Sequence, residues 1–349
     1  MNFRVLREFP SPAMERAWRE YLSRVEVPAH YDSPEYFLDP LPRQTVKRFA
    51  VLALDGDQVR GVLTGFREGK EVMSGLACRP QICVDGTDSA ATLQTLAEGL
   101  LEEAGAAELV TVHTWPSLEL QPFSKRGFRR RELTGSVVLD LTRGPDALFG
   151  EFTKDRRRNI RFAEKHGVEV REAASDQDIM EAYQVHRTWC ETGRKTIHGK
   201  RSFEHFSKGV RLTNNHLLLL ATLAGKVIAI NTFRFCPGGL FESSTNCSLE
   251  EFIHLKPNDL LQWRGIQWAC AHGLRRHSLG GAHSFLLRFG GSVVPVVRYR
   301  LDRTFLARHE LKESVRAAGR FLLDHAPAGI GQAARRLRHA MMSFRQATA

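Results

Sequence analysis

Two side chains in the second half of the chain have the chemistry of a general base. Glu242 lies in the run Leu240-Phe-Glu-Ser-Ser-Thr245, where strand alternation places Glu242 and Ser244 on one face. His254 lies in the loop before the next helix. Either group could take the proton of an amine nucleophile. The alternative for Glu242 is a half-exposed strand carboxylate, and that for His254 is a solvent-facing loop histidine. The latter interpretation applies also to His277 and His283, which bracket the Gly280-Gly281 turn.

A predicted helix from Leu148 to His166 carries the densest basic cluster of the chain. Arg157 and Arg161 are four residues apart, as are Lys154 and Arg158, so each pair lies on one side of the helix. These cations could bind the phosphates of a nucleotide or an RNA. The alternative is a solvated face that acidic residues of the same helix neutralise, namely Glu151, Asp155 and Glu164.

Two other basic segments could also contact anions. Arg194 and Lys195 lie in a Gly-containing loop that could close over an anionic ligand; a flexible surface loop is the alternative. Near the C-terminus, the stretch from Gln332 to Gln346 has no acidic residue and mixes arginines with apolar side chains. It could lie on an anionic membrane surface, or it could be a frayed basic terminus.

The composition is globular and basic. At 349 residues the chain is long enough for two domains, because single cores stop growing at roughly 250–300 residues. A hydrophobic content of 42% and a charged content of 26% exclude a mostly disordered or fibrous protein. The net charge of +11 favours a polyanionic partner, although 39 of the 50 basic residues are Arg, a bias that genome base composition also produces.

The sequence lacks the usual signals for export, membrane insertion and metal binding. The first ten residues include Arg4, Arg7 and Glu8 and no apolar run, unlike a signal peptide. The apolar run 217–223 is far shorter than the ~20 residues of a membrane-spanning helix. The six cysteines form no Cys-x-x-Cys pair and no zinc-type spacing with histidine. We therefore expect a cytoplasmic protein with reduced thiols and no metal site.

The elements that must position these residues repeat once along the chain. A hairpin with the turn Asp55-Gly56-Asp57 and another with the turn Ala224-Gly225-Lys226 are each followed by strand, helix and strand. This order predicts an α/β (α+β) protein of two tandem domains, each a mixed, mostly antiparallel sheet flanked by helices. The predicted boundaries are residues 1–143, residues 144–305 and a basic helical tail of residues 306–349.

Three stretches of the second half resemble the Fem family, whose members are built from two GNAT-like acyltransferase domains. The basic helix that begins at Leu148 is similar to the helix that opens the family's second domain. Pro257-Asn-Asp-Leu-Leu-Gln-Trp263 resembles its P-x-x-L-L-x-W helix, and the region from Ser278 to Gly290 resembles its D-x-G…F-K-x-x-F-G ending. The order and spacing of the three stretches carry the resemblance.

The chain departs from the family pattern at two positions. Ser278 replaces the usual Asp, and Leu286 replaces a Lys that the family associates with the donor or substrate. Arg288, two residues further on, could supply the missing positive charge. Neither half has the Gly-rich pyrophosphate loop of single-domain GNAT enzymes, and residues 85–89 of the first half include two Asp, which argues against CoA binding there.

The resemblance implies an N-acyltransferase with no permanently bound cofactor, which uses acyl-CoA or aminoacyl-tRNA as co-substrate. The acceptor would be a small-molecule or lipid-linked amine of a cell-envelope, polysaccharide or secondary-metabolite precursor, reached in the cytoplasm or at the inner membrane face. A non-catalytic accessory protein with a degenerate GNAT cleft is the alternative. We predict Glu242 and His254 as catalytic residues; the predicted substrate- or donor-binding residues are Arg157, Arg158, Arg161, Arg194, Lys195, Ser244, Asn258 and Arg288.

Overall fold

Both predicted hairpins form, and each supplies two neighbouring strands of one sheet. In the first, β2 (Val46–Asp55) pairs with β3 (Gln58–Glu68), and Gly56 turns the chain at a φ of 60°. In the second, β9 (His216–Leu223) pairs with β10 (Lys226–Phe235). Consecutive residues in the middle of all four strands are buried, so both faces of the sheet are covered.

The computed structural model describes residues 1–41, 45–84, 89–192, 202–211 and 215–324. The chain divides into two compact units, residues 1–301 and residues 302–349. Within the described residues, no helix is long and apolar enough to cross a membrane. The predicted Arg194–Lys195 site, the acidic stretch 85–88 and the basic stretch 332–346 lie outside the described residues.

Thirteen strands of the described chain belong to the sheet. Besides the two hairpins they are β1 (Asn2–Leu6), β4 (Glu71–Ser74), β5 (Ile82–Val84), β6 (Leu109–Thr114), β7 (Arg129–Asp140), β8 (Val168–Glu172), β11 (Leu240–Ser248), β12 (Arg276–Gly281) and β13 (Ser292–Asp302). Their order is β1-β2-β3-β4-β6-β13-β7-β12-β11-β10-β9-β8, and β5 pairs with β3 outside this path. Most pairs are antiparallel, whereas β4 with β6 and β11 with β12 are parallel.

The last strand of the sheet, β13, lies between two strands of the first half. It neighbours β6 on one side and pairs antiparallel with β7 on the other, with Arg300 opposite Arg129. β7 in turn pairs with β12 of the second half. The two halves therefore share one hydrogen-bonded sheet, and the predicted boundary at residue 143 stays a prediction.

Helices cover the two faces of this sheet. They are α1 (Pro12–Arg24), α2 (Ser89–Ala104), α3 (Gln121–Ser124), α4 (Pro145–Glu151), α5 (Lys154–Lys165), α6 (Asp176–Thr192), α7 (Phe203–Arg211), α8 (Pro257–Ala271), α9 (Ser284–Leu287) and α10 (Arg308–Asp324). Alternate residues of β9 divide between two cores. Leu217 and Leu219 pack with α5 and α8, and Leu218 and Leu220 pack with α6 and α7.

The single basic helix predicted from Leu148 to His166 is wrong, because the chain forms two helices there. Phe152 and Thr153 adopt extended backbone angles between α4 and α5. Phe152 is buried against Trp263 and Phe289, and the Thr153 N–H donates to the Arg288 carbonyl oxygen at 3.0 Å. Burial of this aromatic ring and a non-helical backbone hydrogen bond thus outweigh helix propensity at the break.

The second unit is described to residue 324 and contains α10. Asp302 accepts hydrogen bonds at Oδ2 from the backbone N–H groups of His309 (2.8 Å) and Glu310 (3.1 Å), which satisfies two free donors at the start of the helix. The described part of the predicted tail thus contains one α-helix, α10. Large apolar side chains are exposed in this unit, namely Phe305, Leu306, Leu311 and Val315.

Candidate active site

The strands β11 and β12 diverge and leave a gap in the sheet of the second half. They pair in parallel from Leu240 opposite Arg276 to Glu242 opposite Ser278, and no further pair of these two described strands follows. On its other edge β11 continues to pair with β10, with a register shift that leaves Ser244 as a bulge. Beyond Glu242, one edge of β11 therefore faces the gap, where its backbone groups can meet a ligand.

Polar side chains tie the far end of β11 to the start of α8. Asn258, in the first turn of α8, donates from Nδ2 to Ser248 Oγ at 3.2 Å, and Asn246 donates from Nδ2 to the Asn258 carbonyl oxygen at 3.4 Å. The Oδ1 atoms of Asn246 and Asn258 are buried and accept no hydrogen bond from the described residues. Two buried acceptors between β11 and α8 thus have no donor among the described residues.

A buried polar network lies where the two strands begin to part. Ser243 Oγ is 3.1 Å from His277 Nε2, and Gln262 Nε2 of α8 lies 3.3 Å from each of these atoms. Asn231 donates to Gln262 Oε1 at 3.2 Å. Burial lowers the pKa of His277 to about 3, so its imidazole is neutral at neutral pH. The interpretation of His277 as a solvent-facing loop residue is wrong: it is fully buried on β12.

Glu242 points to the opposite face of β11 and is only 3% exposed, so its interpretation as a half-exposed strand residue is wrong. Arg79 Nε lies 3.4 Å from Glu242 Oε1, and Glu242 Oε2 accepts no hydrogen bond from the described residues. Burial raises the pKa of Glu242, and the nearby Arg79 and Arg234 only partly oppose this. Arg234 also donates from Nη1 to Ser244 Oγ at 2.6 Å, so Ser244 and Glu242 contact neighbouring guanidinium groups.

The segment from Ala29 to Asp39 of the first half contributes further polar groups to this face. Arg234 Nε lies 3.0 Å from Asp39 Oδ2. Burial alone would raise the pKa of Asp39, but Arg234 and His30 outweigh it and hold that pKa well below its ordinary value. Tyr31 lies beneath the Arg79 guanidinium, 4.5 Å from ring centroid to Cζ. Loop residues before the first hairpin thus cover the β10–β11 surface.

With this geometry in place, the comparison with known proteins identifies the second half. A family model described as an acetyltransferase (GNAT) domain matches residues 151–288. Residues 151–288 are therefore similar to a GNAT domain. No curated protein matches the sequence at a significant level.

Solved structures extend the likeness to nearly the whole chain. FemX is 12% identical, with a TM-score of 0.60 over 82% of this chain and 95% of its own. The C-terminal domain of a putative lysylphosphatidylglycerol synthetase from Agrobacterium fabrum is 13% identical, with a TM-score of 0.60 over 86% and 96%. A tandem GNAT protein from the clavulanic acid biosynthesis pathway is 13% identical, with a TM-score of 0.51 over 87% and 99%. The predicted Fem-like tandem GNAT fold is therefore confirmed.

In the GNAT domain, the basic helix α5 turns one arginine inward and leaves the predicted ones near its surface. Arg156 forms an ion pair with Asp259 of α8, and its guanidinium lies 4.0 Å from the ring centroid of Phe285. The predicted donor-binding residues lie elsewhere on the helix: Arg157 donates to the Gly150 carbonyl oxygen, Arg158 pairs with Asp155 at 3.0 Å, and Arg161 lies 5.6 Å from the Phe149 ring. Arg158 and Arg161 are exposed.

The departures from the Fem pattern have structural explanations in this GNAT domain. Leu286 is buried in the core of the second half, where an ammonium group would have no solvent. Ser278 is buried, with its Oγ 2.8 Å from Ser136 Oγ of β7. Arg288 is exposed just after α9, and His254 is exposed on the short 3-10 helix before α8. The roles predicted for Arg288 and His254 stay predictions.

A separate cavity of about 870 Å³ lies in the first half, between β5, the end of β6 and the first turns of α2. Asp32 lines it, and burial raises the pKa of Asp32 to about 7. Lys125 and Arg126 lie on its wall. The strands β11 and β12, by contrast, lie in the half that the GNAT family model matches.

Proposed function

We propose that this protein is an N-acyltransferase that holds its acyl donor in the gap between β11 and β12. The observation that carries the proposal is the end of β-pairing after Glu242 and Ser278, which turns one backbone edge of β11 toward the gap. An N–H on that edge can donate to the oxyanion that forms as an amine attacks the acyl carbonyl. Apart from residues that orient the donor and the amine, this reaction needs few catalytic groups from the protein.

The donor that this geometry favours is an aminoacyl-tRNA. Acyl-CoA would bring a diphosphate to the start of α8, where Pro257 removes one N–H donor of the first turn. The preceding 3-10 helix carries exposed Glu250, which would repel the diphosphate. The exposed Arg158 and Arg161 offer cations to a nucleic-acid backbone instead. Similarity to a putative lysylphosphatidylglycerol synthetase, whose name implies aminoacyl transfer to a lipid, supports this donor.

For the acceptor we propose a small-molecule or lipid-linked amine of an envelope, polysaccharide or secondary-metabolite precursor, met at the inner membrane face. The exposed Phe305, Leu306, Leu311 and Val315 of the second unit support a membrane contact through the C-terminal region. Glu242 stays the predicted general base, and burial raises its pKa above the ordinary value of a glutamate. For Glu242 to act as a base, the segment from Ala29 to Asp39 must move, because Glu242 is only 3% exposed.

The test is a transfer assay with the purified full-length chain. Charged tRNAs with labelled amino acids and labelled acyl-CoAs are offered separately, each with a panel of amine acceptors. We expect label to leave the tRNA for the acceptor and no transfer from CoA. Transfer from acyl-CoA alone would refute the proposed donor. Turnover of neither donor would refute the proposal that this protein is an enzyme.

One set of observations favours a second function, that of a non-catalytic accessory protein with a degenerate cleft. Leu286 replaces the family's Lys and is buried, and Glu242 is covered and paired with Arg79. In that case the same preparation would bind charged tRNA or acyl-CoA in a filter or fluorescence assay and release it unchanged. Binding without turnover would thus identify this function, and turnover would exclude it.

A further inference from the structure

Two imidazoles and one carboxylate converge in the buried polar face that covers β10. His30 lies in the 3-10 turn His30–Asp32, Asp39 follows the next turn, and His216 is the first residue of β9. Asp39 Oδ1 lies 3.2 Å from His30 Nε2 and 3.3 Å from His216 Nε2. One ligand atom from each of the three residues lies within 4.8 Å of the other two. The side chains are 0%, 5% and 4% exposed, in the same order.

The two separations that involve Asp39 Oδ1 match the edges of a metal coordination sphere. Zinc binds histidine nitrogen and carboxylate oxygen at ~2.0–2.2 Å, so neighbouring ligand atoms of a tetrahedral site are roughly 3.3–3.5 Å apart. The two rings are 5.0 Å apart between centroids and inclined at 70°, so they approach the carboxylate oxygen from different directions. Asp39 Oδ1 and both ring nitrogens of His30 are buried and lack hydrogen-bond geometry to any described residue. Buried polar atoms in that state need a partner.

The second carboxylate oxygen of Asp39 has a cationic partner of its own. Arg234 contacts Asp39 Oδ2 at 3.0 Å and leaves Oδ1 directed to the two histidines. A donor to the second carboxylate oxygen is the usual outer partner of a metal-bound carboxylate.

We propose that His30, Asp39 and His216 form a binding site for a divalent transition metal of the Zn²⁺ class. Two imidazoles and one carboxylate are a ligand set that suits zinc, and the ion would bond to His30 Nε2, Asp39 Oδ1 and His216 Nε2. The site is independent of the proposed acyl transfer. The expectation of no metal site rested on cysteine spacing, which cannot detect histidines supplied by distant segments.

The position of the site assigns the ion a structural role. His30 and Asp39 belong to the segment of the first half that covers Glu242, and His216 belongs to the second half. A metal bonded to all three would fasten that segment to β9. It would hold Arg79 and Tyr31, which contact each other at 4.5 Å, over the β10–β11 surface.

The experiment measures metal in the untagged full-length protein, with no transfer assay involved. Metal analysis after dialysis should find about one Zn²⁺ per chain. Protein stripped with a chelator should regain its original melting temperature when Zn²⁺ is added, and Co²⁺ should give the visible absorption of a tetrahedral site. A wild-type protein that holds no metal and shows neither response overturns the proposal.

Variants separate the site from a general effect on folding. His216→Gln should lower the metal content at least about tenfold, while His272→Gln, at an exposed histidine of the same chain, should keep it. Because His216→Gln could unfold the protein, Arg234→Gln provides a second measurement. It keeps all three ligands and should weaken Zn²⁺ binding about 10–100-fold. Unchanged Zn²⁺ affinity in both variants overturns the assignment of these residues.

Discussion

Arg79 of the first half lies with its Nε 3.4 Å from Oε1 of Glu242 on β11 of the GNAT domain. The pair crosses between two halves that are far apart in the sequence, and Glu242 is 3% exposed. An ion pair in such surroundings matters most when one partner is removed, since the remaining charge has no water to solvate it. Loss of either partner of this pair should therefore destabilise the fold.

Replacing Arg79 by Met should lower the free energy of unfolding by about 3 kcal/mol, because Glu242 would be left buried without its cation and would have to stay charged or take up a proton at a free-energy cost. Urea denaturation measures the change. The matched control is Arg60→Met, which removes an exposed pair with Asp55 and should cost at most about 1 kcal/mol. The double variant Arg79→Met with Glu242→Gln should recover part of the loss. Equal costs for the two single variants would contradict the prediction.

His277 should make the protein less stable in mild acid. Burial lowers its folded-state pKa to about 3, below the ordinary value of 6.5, so the unfolded chain binds a proton that the folded chain does not. The contribution of His277 to stability is complete above pH 6.5. It falls by about 1.4 kcal/mol per pH unit as the pH drops from 6.5 toward 3.

The measurement is the difference in unfolding free energy between the wild type and His277→Asn at several pH values. This difference should change steadily between pH 6.5 and the lowest pH at which the protein stays folded. His272→Asn, at an exposed position on the C-terminal side of α8, is the control. A wild-type profile parallel to that of His277→Asn would show that His277 is not a neutral buried group.

Arg156 should be a structural residue although it belongs to the basic helix. Its guanidinium pairs with Asp259 between α5 and α8, and both side chains are less than 10% exposed. Arg156→Met should therefore cost about 3 kcal/mol of unfolding free energy, because Asp259 stays buried without its cation. Arg158→Met removes an exposed pair and should cost less than about 1 kcal/mol. A melting temperature of Arg156→Met equal to that of Arg158→Met would refute this distinction.

The exposed face of α5 should govern tRNA binding. Replacing Arg158 and Arg161 together by Ala should weaken binding of charged tRNA and reduce the slope of log affinity against log salt by about 1–2. Melting temperature should stay near that of the wild type, since both side chains are exposed. Arg187→Ala, which removes an exposed cation of α6, is the control. An unchanged salt slope in the double variant would remove α5 from the donor site.

Local sequence signals were sufficient for the repeat unit of this fold. The Gly56 and Gly225 turns predicted both hairpins, because turn chemistry acts over a few residues. The resemblance of the stretch from Pro257 to Trp263 to a family helix indicated α8. The break at Phe152 and Thr153 was missed for the opposite reason. It depends on packing against Trp263 and Phe289, which belong to distant elements.

The candidate site was predictable only in part. Strand alternation placed Glu242 on the face opposite Phe241, but no local pattern indicates that Arg79 and Tyr31 cover it. If residues 276–281 are predicted as a strand, His277 and Leu279 lie on the same face. That alternation would have indicated that His277 is buried. The convergence of His30 and His216 required the register of the complete sheet, which is a non-local property.

The position of β13 sets a limit on how this chain can mature during synthesis. β6 and β7 are completed before residue 143, but the strand between them is residues 292–302. While the ribosome adds the intervening part, β6 and β7 of the nascent first half have unpaired edges, which are sites of aggregation. The sheet can be completed only after β13 leaves the ribosomal exit tunnel. The two halves therefore complete their folding together, although each contains its own copy of the repeated elements.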